Sequence, residues 1–410
     1  MRWRMAAKIA AMNMPPQRIA RLTLVLIGLA GAGVWWMLDS ASSPPSPAFD
    51  GLRAKQTVAS SRPASIGGAR QEGEAEETPV ALEACEQAMR QQRRSRMEAL
   101  AKAGDTDSRI ARALLAMSTT NDPVDDELGT GLSMLKAAAQ AAPGDAEAAW
   151  YYARYCASDG ECDATEATAT LVALEPDNLD GWLVALQLAQ KRGDEVGVAK
   201  ALEGGAKARY FDHRNGDSFM RATRALADLP VSPACSTPEY AEFLRDVWKL
   251  ERQPRAEDFA MAQGMIAAMN ELRAYAPLRE ACSVAKVARL DAGRGSACRS
   301  VLQRLSDGDL LIDRLIGETT MVELTADTGD GEHWRERLRR THWMAEQARS
   351  LKPDFDAGMR RWTEGEVPTM QSELAAVAKS LPPADWLPSS ERARSLVLTG
   401  RPPPEEKKPK

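Results

Sequence analysis

The chain has 410 residues, of which 44% are hydrophobic, 27% charged and only 5% aromatic. That apolar content suffices for a packed core and excludes a wholly disordered chain, while abundant Ala and Leu beside scarce Val, Ile, Tyr and Phe argue against an all-β fold. The net charge is −5; with Arg2, Arg4, Lys8, Arg18 and Arg21 set aside, 48 basic side chains face 58 acidic ones, about −10 for the remainder, which argues against nucleic acid as a partner.

In chain order, residues 1–21 form a basic head. Leu22 to Leu38 hold no charge, and counted from Ile19 the apolar run is 20 residues long, enough helix to cross a bilayer core. Trp35 and Trp36 stand near its far end, where amphipathic rings favour the interface. Basic residues before the run and Asp39 after it predict one transmembrane helix over 22–38. The head then lies in the cytoplasm and the body in the periplasm of a bacterial inner membrane. Two readings compete: a cleaved signal peptide, with Ser40-Ala41-Ser42 as a weak cleavage site, and a buried hairpin helix. Either export reading puts the body in the same compartment. Residues 39–78, rich in Pro, Ser, Gly and Glu, read as a disordered linker with a reach of about 35 Å.

From residue 79 to 228 the apolar spacing is helical. Helices are predicted at about 80–102, 108–117, 128–142, 146–155, 164–174, 180–190 and 196–210, joined by short Gly, Asp and Pro turns. Such lengths and turns fold as antiparallel hairpins. Two segments correspond: Ala142-Pro-Gly-Asp-Ala-Glu-Ala-Ala-Trp150 and Leu174-Glu-Pro-Asp-Asn-Leu-Asp-Gly-Trp182. Their prolines lie 33 residues apart and their tryptophans 32. With Ala153 and Ala185 three residues beyond the tryptophans, this pattern resembles a degenerate tetratricopeptide repeat. The resemblance covers 106–212; the insert between Cys156 and Cys162 distorts the first copy, and Gly204-Gly205 loosens the second. It implies an all-α solenoid of helix hairpins with Trp150 and Trp182 in equivalent core positions, and a role in protein–protein interaction or envelope assembly.

Residues 229–395 read as a further helical region without a clear period, with helices near 239–251, 256–275, 277–291, 296–304, 308–325, 332–351, 356–364 and 368–380. Residues 396–410 read as a disordered tail.

All six cysteines follow the apolar run, and an extracytoplasmic setting permits disulfides. Cys156 and Cys162 bracket a flexible turn, and Cys282 and Cys298 bracket a break between helices, so both pairs are expected to bond. Cys85 and Cys235 are left as a remainder. Structural zinc and buried free thiols are the alternatives, and no Cys-x2-Cys pair supports zinc. No cofactor or metal is expected.

Residues with reactive side chains form no strong motif. Asp212, His213 and Asp217 share one polar turn; His333 and His342 are nine apart and do not share a helix face as a zinc pair would. Asp122-Pro-Val-Asp-Asp-Glu lacks the alternation and central Gly of a calcium loop. Trp334-Arg-Glu-Arg-Leu-Arg-Arg reads as a solvated face held by ion pairs, with lipid headgroups or an acidic partner as the alternative.

The functional expectation is therefore a membrane-anchored scaffold that binds an envelope protein or peptide without catalysis. Its contact face is placed on Tyr151, Tyr152, Arg154, Tyr155, Gln187 and Lys191, with one of the adjacent tyrosines exposed as an anchor. The second reading is an envelope enzyme acting on glycan or peptidoglycan, using acids among Glu239, Glu242, Asp246 and Glu251. A third is a purely structural spacer.

Overall fold

The computed structural model describes residues 80–117, 127–159, 162–242, 252, 254–269, 275–288, 292–351 and 355–404. The expected head, transmembrane helix and linker lie outside the described residues. Among the described residues, no helix is long and apolar enough to cross a membrane.

The described chain is all-helical. We number the helices α1 (Val80–Ala103), α2 (Thr106–Met117), α3 (Glu127–Ala141), α4 (Ala146–Asp159), α5 (Thr165–Leu174), α6 (Leu179–Lys191), α7 (Glu195–Lys207), α8 (Asn215–Leu226), α9 (Ala256–Met269), α10 (Ala276–Ala281), α11 (Val284–Val287), α12 (Ala292–Ser306), α13 (Leu311–Leu324), α14 (Gly331–Ser350), α15 (Phe355–Thr363), α16 (Glu366–Ala376) and α17 (Glu391–Thr399). A short 3-10 turn covers Pro233–Cys235. No described residue belongs to a strand; one isolated parallel bridge joins Asn178 and Tyr210.

The turn residues of the sequence act as helix caps. Asp105 accepts from Ser108 N at 2.9 Å, Asp145 from Glu147 N at 2.9 Å, Asp163 from Thr165 N at 2.9 Å, and Asp194 from Gly197 N at 2.8 Å. Each satisfies a backbone donor that the first turn of a helix leaves without an intrahelical partner. The Ser108 backbone and hydroxyl bonds hold the Asp105 carboxyl below its ordinary range, and the Thr165 hydroxyl and backbone bonds do the same for Asp163.

Helices α2 with α3, α4 with α5, and α6 with α7 pack as successive hairpins, and α4 also packs on α3 and α6. Ile110, Leu114, Leu115, Leu135, Trp150, Tyr151, Leu171 and Val184 share one core. The two tryptophans are not equivalent. Trp150 is fully buried and donates Nε1 to the buried Asp180 carboxylate. Trp182 is half-buried, donates Nε1 to Pro176 O at 2.9 Å, and lays its ring on Gly204. Gly204-Gly205, expected to loosen the second repeat, instead permits close packing. A Cβ at Gly204 would strike the Trp182 ring, and one at Gly205 would stand 3.2 Å from Val301 of α12.

The stack then turns. α8 does not extend it. It packs on α9, reaches back to α2, and touches α15, where Phe219 stacks on Trp362 with ring centroids 5.9 Å apart. α12 packs on α7, followed by α13 and α14, with α16 and α17 against α14. Contacts across residue 229 thus join the regions read as separate, and the described residues from Ala84 onward form one compact unit. The expected helix 277–291 is broken into α10 and α11 at Cys282-Ser283, where Ser283 is extended. The expected tail begins too early: α17 runs through Thr399 and buries Leu396 and Val397.

Three disulfides close the body: Cys85–Cys235, Cys156–Cys162 and Cys282–Cys298, with Cα separations of 4.6, 5.5 and 5.5 Å. They use all six cysteines.

Candidate functional site

The expected contact face is largely interior. On α4, Tyr151, Tyr152, Arg154 and Tyr155 are all buried, as is Gln187 on α6. Adjacent residues on a helix point about 100° apart, so one of the two tyrosines was expected to face solvent. Neither does: Tyr152 turns to the Asp163 segment, and a further element reaches Tyr151. That element is α8: Ser218 Oγ lies 2.9 Å from the Tyr151 hydroxyl, and Arg221 pairs with Glu147 of α4 and Asp107 of α2. The Arg221 guanidinium also stands 5.9 Å from the Tyr151 ring centroid. Burial by itself would lower the pKa of Arg221, but the Glu147 and Asp107 carboxylates outweigh it and raise the pKa, so the cation is fixed. Tyr152 donates to Asp163 O at 3.3 Å, and burial together with the Asp163 charge raises its phenol.

Gln187 and Lys191 stand one turn apart on α6 and do one job together. Both donate to Ala157 O, Gln187 at 3.1 Å. Carbonyls in the last turn of a helix lack intrahelical donors, and a cation there also complements the helix dipole. Lys191 remains exposed along its stem. Arg154 and Gln187 meet again in a small crevice with Tyr275, whose hydroxyl donates to the buried Asp313 carboxylate.

An open cleft lies elsewhere, between α1, the 229–235 segment and α9. Its apolar lining includes Leu226, Leu229, Phe259, Ala260, Met89 and Val231. Phe259 is fixed by stacking on Tyr240, with centroids 6.0 Å apart and planes 14° apart. Burial, with the Glu86 charge, pushes the Tyr240 phenol up. The polar members sit on the facing walls. Gln92 Nε2 donates to Pro230 O at 2.8 Å, and Arg93 donates to Gln263 Oε1 at 3.1 Å. Cys235 lines the cleft and Cys85 lies one turn before Met89, so the disulfide joins the two walls. No short motif signals this cleft, because its walls come from segments about 140 residues apart.

Of the other candidates, His213 is half-buried against Phe211, His333 is exposed beside Trp334, and His342 is buried. Burial, with Arg349, pushes the His342 imidazole down to about 4. Glu239 and Glu242 are exposed, while Asp246, Glu251 and residues 122–126 lie outside the described residues. Among the described residues, no cluster of three or more His, Cys, Asp or Glu is arranged to hold a metal. The basic stretch of α14 is ion-paired: Arg337 to Asp307 at 3.0 Å, and Arg339 and Arg340 to Glu336 at 2.7 Å.

Sequence reasoning missed two buried acids in α13, Asp313 and Glu318. Glu318 is 2% exposed and accepts from Arg337 Nε at 3.3 Å. Burial raises its pKa to about 7, against the opposing pull of Thr341, Arg337 and Arg314.

No family model matches this chain, and neither a curated protein nor a solved structure matches it.

Proposed function

We propose that this protein is a membrane-anchored, extracytoplasmic helical scaffold that binds a segment of an envelope protein or peptide. The carrying observation is the open apolar cleft at α1, the 229–235 segment and α9, whose walls are tied by a disulfide. A concave, mostly apolar site with a few placed polar groups is the general form of a binding site, and tying its walls lowers the ordering cost of binding. Full use of the cysteines in disulfides supports an oxidising compartment. The uncharged 22–38 run supports the anchor. The binding role moves from the tyrosine face to the cleft, since α8 covers Tyr151.

The test is site-specific photo-crosslinking in native membranes. A photoreactive side chain replacing Met89, inside the cleft, should give a discrete adduct. The same group replacing Val196, which is 79% exposed on α7, should not. Identical adduct patterns at both positions, or none at Met89, would refute the reading.

A further inference from the structure

We infer that the segment Lys379–Asp385 is a displayed ligand for a partner protein's groove, one lined with aromatic rings and carrying a carboxylate at the end that meets Lys379. This is a second interaction surface, and it does not depend on the cleft.

The sequence there reads Lys379-Ser-Leu-Pro-Pro-Ala-Asp385. Two covalent constraints act on it before any partner arrives. Each proline ring fixes its own φ. Each also pushes the residue before it, Leu381 or Pro382, toward extended backbone. Proline-rich backbone of this kind docks in aromatic-lined grooves, because little conformational freedom is left to lose.

The body grips this segment and leaves it bare. Trp343 of α14 donates Nε1 to Lys379 O at 2.8 Å. Arg339, one turn earlier on α14, donates to Pro383 O at 2.8 Å and is itself fixed by Glu336 at 2.7 Å. The chain is thus held on both sides of Leu381. Further on, Trp386 packs edge-on against Trp343 with ring centroids 5.1 Å apart, and Ser389 N donates to Glu346 at 2.9 Å. Between these anchors the side chains face outward. Leu381 is 66% exposed, the most exposed leucine among the described residues, and Pro383 is exposed beside it. Exposed apolar side chains set together on a fixed mount mark an interaction site. Lys379 and Asp385 are exposed at the two ends, cation first and anion last. A groove with a carboxylate beside Lys379 therefore accepts the segment in one direction only. Asp385 would be repelled by an anionic lipid surface, which favours a protein as the partner.

The experiment places a photoreactive side chain at Ala384, exposed next to the prolines, in the full-length chain in native membranes. It should give one discrete protein adduct, with the crosslink mapped by mass spectrometry beside Trp, Tyr or Phe of the partner. An excess of a synthetic peptide spanning Val377 to Asp385 should suppress the adduct, and its scrambled sequence should not. Pro382→Ala combined with Pro383→Ala keeps the carbonyl that Arg339 binds and removes the backbone constraint. It should lower the adduct yield by about tenfold or more, as should Leu381→Ser and Lys379→Glu, while Lys379→Arg should retain it. None of these side chains is buried, so each variant should melt with the parent. Where one does not, the peptide competition on the parent chain carries the decision. An adduct indifferent to the proline and Leu381 substitutions overturns the inference. So does a crosslink to lipid or to a second copy of this chain, and so does the absence of any adduct. The Met89 crosslink is read separately, so either surface can fail while the other stands.

Discussion

Replacing Cys85 and Cys235 together by alanine should release α1 from the body before any other helix opens. The bond spans 150 residues, against 16 and 6 for the other two. Loop-closure entropy puts its contribution at about 5 kcal/mol, against about 3 and about 2 kcal/mol for the shorter loops. Beyond the bond, the described residues hold α1 through Gln92 to Pro230, Arg93 to Gln263, Arg96 to Asp228, and the packing of Met97 and Leu100. At about 1 kcal/mol for each polar contact and about 1 kcal/mol for each half-buried apolar side chain, these total about the same as the bond. Without the bond the non-covalent contacts alone hold this 24-residue helix, so its released state gains population. Hydrogen exchange followed by mass spectrometry reads this directly. Amides of residues 84–103 should lose protection by about a hundredfold or more, while those of α4 and α13 keep theirs. Unchanged protection in α1, or a loss spread evenly over α1 to α7, would refute local release and show the bond to stabilise the enclosed segment as a whole.

The remaining predictions concern the interior. Trp150→Ala should cost about 3–5 kcal/mol, because it deletes a fully buried ring and strips Asp180 of a donor, whereas the half-buried Trp182 should cost about 1–2 kcal/mol; urea denaturation of both variants measures the difference. Arg221→Met should cost about 2–4 kcal/mol in the same assay, since it leaves Glu147 and Asp107 beside α8 without their cation. Glu318 and His342 should act in opposite directions with pH. Glu318, raised to about 7, is protonated in the folded chain over a window where the unfolded chain has released its proton, so it adds stability as pH falls from about 7 to about 4.5. His342, lowered to about 4, stays neutral while the unfolded chain takes up a proton, so stability is lost as pH falls from about 6.5 to about 4. Glu318→Gln should therefore be more stable than the parent near pH 8, by about 1–3 kcal/mol, and should lose stability more steeply on acidification; parallel pH profiles would count against it.

Local features were the most legible in the sequence. The Gly-Asp and Pro-Gly-Asp turns marked helix starts because the aspartates themselves cap the next helix, as Asp145 and Asp194 do. The Cys156–Cys162 and Cys282–Cys298 bonds were legible for a similar reason, since each joins residues close in sequence. Helix α8 was missed because its start carries no capping side chain: Arg214, at its N-cap, has a φ of 53°, and Gly216 follows. That omission propagated to the site, since α8 is what buries Tyr151. α17 was missed as well, its short apolar stretch being read into the tail. The cleft escaped detection because Gln92 and Pro230 are brought together only by the tertiary fold.

The Cys85–Cys235 bond also decides where a mechanical load would travel. Tension applied between the N-terminal side of Cys85 and the C-terminal side of Cys235 passes through the sulfur–sulfur bond and bypasses the chain between them. Helices α2 to α8, together with most of α1, sit in a closed covalent loop that such a pull cannot lengthen. Among the described residues, the slack available under force comes from the helices after residue 235. A body held on the N-terminal side of Cys85 and pulled at α9 or beyond would thus keep its α2–α7 stack at full register while the rest yields.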